Sequence, residues 1–202
     1  MLNKLRGIKS IHSVITDLTQ RGVSDHDANS YEEIVIVALK AERTLEVYGR
    51  KTTGPSTLIT TFPFTGFSGE TGPKLREGDK QIPEGLYRVE ALNPNSSYHL
   101  SIKLNYPNAF DQQMGKQDGR ESLGSDIFIH GKTATIGCIP IGDPAIEELF
   151  LIVNRIGITQ VKIIIAPCDF RQGLPYPEID KINWETELYS QIHHALLNLQ
   201  GE

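Results

Sequence analysis

No stretch of this chain approaches the roughly 20 consecutive apolar residues that a membrane-spanning helix needs, so none is expected. Positive charge is also scarce: 20 Lys and Arg stand against 25 Asp and Glu, for a net charge of -5. Without a basic cluster there is no electrostatic footprint for a phosphate backbone, and nucleic acid is not an expected partner. Cysteine is limited to Cys138 and Cys168, too few for a disulfide framework, although one bridge between them stays open. Neither G-x-x-x-x-G-K-[ST] nor G-x-G-x-x-G occurs, and no C-x-x-C or H-x-x-x-H pair is found, so no nucleotide, flavin or metal cofactor is expected. The start, MLNKLRGIKSIHSVITDL, is positive but has neither the apolar core nor the cleavage site of a signal peptide. The expectation is that the protein is not exported by that route, or that a precursor's signal is left out of this chain.

What is present suits one domain of 202 residues, 39% hydrophobic and 22% charged. Leu2, Leu5, Ile8, Ile15 and Leu18 recur at helical spacing, so the first twenty residues read as an amphipathic helix that Gly22 and SDHDANS end. Residues 1–30 are thus expected to form an N-terminal helix and linker, and 31–202 the main domain with a C-terminal helix. EEIVIVALK and TLEVYGR, rich in β-branched residues, predict a hairpin, and STLITTFPF, LYRVEAL, YHLSIKL, DIFIH and QVKIIIAP predict further strands. Two long polar segments, TGFSGETGPKLREGDKQIPEG and NYPNAFDQQMGKQDGRESLGS, read as loops, the second with a helical turn; loops of that length are more often functional than idle. GDPAIEELFLIVNRIG predicts a helix capped by Asp143, with Pro144 in its first turn and Ile146, Leu149, Phe150 and Val153 on one face. Trp184, Leu188, Ile192, Ala195 and Leu199 form a last helical stripe. The fold class is mostly β with flanking helices, an α+β arrangement.

Within IHGKTATIGC, a histidine expected to end a strand, His130, precedes Cys138 by eight positions. A cysteine becomes a nucleophile when a neighbour removes its proton, and a histidine within reach does so. Gly137 lets the backbone approach a carbonyl closely, consecutive N–H groups there suit an oxyanion hole, and a helix start just beyond would favour thiolate. The pair alone also fits two unrelated core residues, cysteine being commonly buried, or part of a zinc site that lacks its paired spacing.

The wider pattern is more specific. IHG followed by TIGC, together with GPKLREGDKQIPEGLYRV, SYHLSIKLNYPN and GSDIFIHG, resembles the YkuD-type L,D-transpeptidase catalytic domain, most closely its short-loop branch, from about Glu33 to Arg171. The resemblance implies a β-sandwich-like mixed domain, Cys138 as nucleophile, His130 as general base and the Gly131 carbonyl as the group that orients the imidazole. It implies that Thr135 matches the family's Ser/Thr and that Gly137 and Cys138 supply oxyanion donors. Ile136 stands where the longer-loop branch has a second histidine, and Pro140 where that branch often has Arg or Asn.

The implied chemistry is attack on a peptidoglycan stem peptide, a thioester on Cys138, and resolution by an amine or by water, in the periplasm or cell envelope. Carbapenem-type β-lactams would be covalent inhibitors. Alternatives are a hydrolase of the same fold, an inactive wall-binding module, or a secreted effector against a competitor's wall. Lys74, Arg76 and Lys132 are candidate partners for a substrate carboxylate, or solvated loop charges; Tyr106 is a candidate substrate contact. His99, in an expected strand, and the adjacent His193 and His194 read as structural, and Cys168 as a spare thiol.

Overall fold

The computed structural model describes residues 7–201. Its centre is a run in which every residue is apolar. Strand β1 (Glu33–Leu39) buries Ile34, Ile36 and Ala38 on one face of the sheet and Val35, Val37 and Leu39 on the other. Side chains alternate along a strand, so an uninterrupted apolar run means that both faces are covered. β1 pairs antiparallel with β2 (Thr44–Arg50), which pairs with the edge strand β3 (Thr57–Pro63), and parallel with β8 (Val161–Ala166).

The sheet curls at β4 (Gly85–Asn93). Its first half pairs with β8 and its second with β5 (Ser101–Leu104), across a register shift between Val89 and Ala91. Such an extra residue bends a strand and increases its twist. Beyond β5 lie β6 (Phe128–His130) and β7 (Ile139–Pro140), which completes the eight-stranded order β3-β2-β1-β8-β4-β5-β6-β7. The class is the expected α+β one: a curled eight-stranded sheet flanked, among the described residues, by four α-helices.

Helix α3 (Asp143–Ile156) covers one face through Ile146, Leu149, Phe150 and Val153, as its spacing predicts. Helix α4 (Glu185–Leu197) covers the other with Leu188, Tyr189 and Ile192 beneath Trp184 and Leu199. Phe150 is wholly buried, and burying a side chain of that size contributes about 1.5–3 kcal/mol. Helix α2 (Ala109–Gln117) is a full helix where a single turn was expected, because Asn108 and Asp111 form a reciprocal capping box.

Three expectations need correction. The N-terminal helix, α1, spans only Ile11–Gln20; Ser10 caps it by accepting from Ser13 N, Val14 and Leu18 are buried, and Ile8 lies ahead of it, 93% exposed. Leu2 and Leu5 fall outside the described residues. Asp143 does not cap α3: Gly142 holds the cap position and the Asp143 carboxylate points elsewhere. His99 precedes β5 and is not within a strand, with a left-handed φ of 75°.

Candidate active site

The last two strands set the geometry. β6 and β7 run parallel, with Ile129 opposite Ile139 and His130 opposite Pro140. This register puts Cys138, just before β7, opposite Phe128, on the same sheet face as His130 and one step away diagonally. Eight residues of sequence separation thus become a strand-to-strand neighbourhood.

His130 is 2% exposed, and its Nδ1 lies 2.6 Å from Gly131 O. A carbonyl only accepts, so Nδ1 carries the proton and Nε2 is left with its lone pair. Burial pushes the His130 pKa down, against the upward pull of the Gly131 hydrogen bond. Neutral imidazole is therefore the resting form at pH 7. Gly131 is required by crowding: a Cβ there would lie 2.5 Å from Asp143 Oδ1 and 2.7 Å from Tyr98 O. The Asp143 carboxylate instead accepts Lys132 N at 2.8 Å, which fixes the turn after His130.

Cys138 is half-buried and free, as is Cys168, so the two are not bridged. Its Sγ donates to Asp126 O at 3.7 Å and not to His130. Burial raises the thiol pKa, a main-chain hydrogen bond from Phe128 and the charge of Lys74 oppose the rise, and Asp126 adds to it. The expected thiolate-favouring helix start is displaced: β7 and Gly142 intervene before α3 begins. The resting group is a thiol, not a thiolate, and it is turned to Asp126 O.

The two N–H groups expected to serve an oxyanion have a partner at rest. Thr135 Oγ1 accepts from Cys138 N at 2.9 Å and from Gly137 N at 3.2 Å, and donates to Cys138 O at 2.7 Å. Both N–H groups are thus engaged by the loop's own hydroxyl. Gly137, with φ 132°, is needed because Gln81 O lies 3.1 Å from where a Cβ would be. Ile136 is 75% exposed on this loop.

The long loop between β3 and β4 forms the adjoining wall. It touches the Cys138 loop at Gly66, whose Cβ would collide with Thr133 O, and at Gln81. Its polar side chains order it: Asp79 accepts from Leu75 N, Arg76 N and Gln81 N at 2.9–3.0 Å. Below it, buried Lys40 donates to Gly72 O, Ile82 O and Glu84 Oε1 at 2.8–3.0 Å, and Tyr189 donates to Glu84 Oε2 at 2.8 Å.

Among the candidate substrate residues, Lys74 is no solvated charge: it is 7% exposed, with Nζ on Asp79 Oδ1 at 2.5 Å and Arg76 O at 2.9 Å. Arg76 is exposed, and Lys132, also exposed, has its Nζ on Ser97 O. Tyr106 is not available to a substrate, being 4% exposed with its hydroxyl on Leu123 O at 2.9 Å. Sequence reasoning missed Tyr98, whose ring stacks on His130 at a centroid distance of 4.5 Å, and Asp126, whose left-handed backbone (φ 57°) turns its carbonyl toward the thiol. Neither residue type signals such a role, since both depend on turns.

A curled mixed sheet presenting a free thiol beside a neutral, carbonyl-backed imidazole defines a cysteine–histidine protein of a recognisable kind. The chain belongs to the family of YkuD, L,D-transpeptidase catalytic domains, which it matches over residues 32–163. It is 34% identical over 139 residues to YafK of Escherichia coli strain K12, itself only provisionally named an L,D-transpeptidase; the match covers 66% of this chain and 54% of YafK. The chain therefore spans about half the length of the curated relatives it matches. Its fold is similar to Bd1075 of Bdellovibrio bacteriovorus (TM-score 0.50, 23% identity, 70% of this chain and 50% of that one). It is also similar to the helical cell shape determining protein Pgp2 of Campylobacter jejuni (TM-score 0.52, 15% identity, 94% of this chain and 77% of that one).

Proposed function

We propose that the chain is a cysteine acyltransferase acting on peptidoglycan stem peptides in the cell envelope, with Cys138 as nucleophile and His130 Nε2 as base. The observation that carries this reading is the fixed tautomer. With Nδ1–H held by Gly131 O, the free lone pair is on Nε2, and the low pKa of the imidazole keeps it unprotonated at neutral pH.

On attack, the Sγ proton passes to Nε2 as Sγ bonds to the stem-peptide carbonyl carbon. Collapse of the tetrahedral adduct breaks the C–N bond, and the imidazolium returns its proton to the leaving amine. A thioester remains on Cys138. An amine acceptor then forms a new amide and restores the thiol, giving a cross-link or an exchanged D-amino acid, whereas water gives a trimmed carboxylate. Because the thiol is protonated at rest and bonded to Asp126 O, the nucleophile is generated when substrate arrives and the Sγ rotates toward His130. The Thr135 hydroxyl has to share or release the Gly137 and Cys138 N–H groups as the oxyanion forms.

Family membership supports this chemistry, and a wall-binding module without turnover would need neither the thiol nor a tautomer-fixed imidazole. The test is mass spectrometry of muropeptides incubated with wild type and Cys138→Ala. New cross-linked or exchanged species made only by wild type are the expected result. Trimmed species alone would assign the hydrolase branch, and no change with wild type would overturn the reading. A carbapenem should add covalently at Cys138, seen as a gain in intact mass that Cys138→Ala lacks.

A further inference from the structure

Two carboxylates one turn apart on α3 reach the same crossing of chains. Asp143 Oδ1 accepts Lys132 N at 2.8 Å, and Glu147 Oε1 lies 2.7 Å from His99 Nε2. Residues four apart share a helix face, so α3 holds both sides of the place where residues 98–100 pass residues 130–132. Gly131 N donates to Leu100 O at 3.2 Å, and a Cβ on Gly131 would lie 2.7 Å from Tyr98 O and 3.2 Å from His99 Cβ. The left-handed backbone of His99 is unfavourable for a residue with a side chain and persists only when its surroundings impose it. Here Glu147 holds the His99 imidazole at 2.7 Å.

That turn directs Tyr98 onto His130. Their ring centroids are 4.5 Å apart at 38°, the shortest aromatic pair among the described residues. Yet Tyr98 is 41% exposed, so burial alone does not hold it there. Glu147 is itself held: Arg21, the residue that caps the C-terminus of α1, forks onto its two oxygens at 3.0 and 2.5 Å. Bidentate charge-assisted bonds of this kind fix direction as well as distance.

We propose that Tyr98 is a positioning residue for His130, held against the imidazole by the Arg21–Glu147–His99 chain, so that docking of α1 is coupled to the orientation of the base. Gly131 O fixes one edge of the ring and Tyr98 covers one face. Rotation about the Cβ–Cγ bond would break the Nδ1–H bond and change which nitrogen meets Cys138. The inference rests on the acyl-transfer reading only in calling His130 the base.

The test reads the ring directly. Full-length protein with 15N-labelled histidine is studied by long-range proton–nitrogen NMR, which reports the His130 tautomer whether or not the protein turns over, alongside kcat and KM on muropeptides. Wild type and Tyr98→Phe should show one Nδ1–H tautomer. Tyr98→Ala and Glu147→Gln should show mixed tautomers, with kcat lowered about tenfold and KM within about twofold. Tyr98→Ala should melt as wild type does, since the side chain lies at the surface, and Arg21→Gln substitutes for Glu147→Gln if that variant fails to fold. A single unchanged tautomer in Tyr98→Ala overturns the proposal, as does one in the folded chain variant. A tautomer shift in a protein whose wild type makes no product would leave the positioning intact and remove the acyl-transfer reading instead.

Discussion

Cys138 and Cys168 are both half-buried and free, Cys138 just before β7 and Cys168 two residues past β8, yet the charges around them differ. Burial raises the pKa of both thiols. At Cys168, Glu42, Glu84 and Asp169 push further in the same direction, to about 11. At Cys138 the Phe128 main chain and the Lys74 charge pull back, and only Asp126 adds to the rise. Burial by itself does not tell a reactive thiol from an inert one; neighbouring charge and an available base do.

The largest effect expected from that contrast is on turnover. Cys138→Ala should lower product formation by at least about a thousandfold, as loss of a covalent nucleophile does, while Cys168→Ala should change it less than about twofold. Comparable losses in muropeptide assays would erase the distinction between the two sites.

Next in size is a change in stability centred on the Cys168 side. Glu84 belongs to the field around that thiol and is also the ion-pair partner of buried Lys40, at 2.8 Å. Glu84→Gln should destabilise the fold by about 3–5 kcal/mol in urea unfolding, because an uncompensated buried charge is left behind. Adding Lys40→Met should restore much of this. At the Cys138 loop the equivalent scaffold is a neutral hydroxyl, so Thr135→Val should cost less, about 1–3 kcal/mol for its three hydrogen bonds. Thr135→Ser should keep them.

How far the sequence foretold these differences depended on the range of the interactions. Strands β1 and β8, the apolar face of α3 and the stripe on α4 were legible because periodic apolar residues specify burial locally. The IHG and TIGC segments marked where a site should be. What they could not carry were the contacts made by turns. The Asp143 carboxylate left the helix cap for Lys132 N, Thr135 took the N–H groups assigned to an oxyanion, and Tyr106 went into the core while Tyr98 came to the histidine. These outcomes are set by hydrogen bonds within and between loops and by ring packing, none of which has a period in sequence.

The smallest expected effect probes the electrostatic contrast itself. Alkylation by iodoacetamide, followed by peptide mass spectrometry across pH, should label Cys138 at lower pH than Cys168, whose labelling should rise only toward pH of about 11. Cys168 reacting first would break the comparison. The same shift has a stability consequence. An unfolded thiol titrates near about 8.5, so the folded chain, with its higher value, holds that proton more tightly than the unfolded chain does. Its contribution is therefore complete below about 8.5 and is lost as pH climbs toward about 11. Cys168→Ser should flatten that decline in urea midpoints above pH of about 9, with no change at neutral pH, because no proton is then exchanged on unfolding at this position.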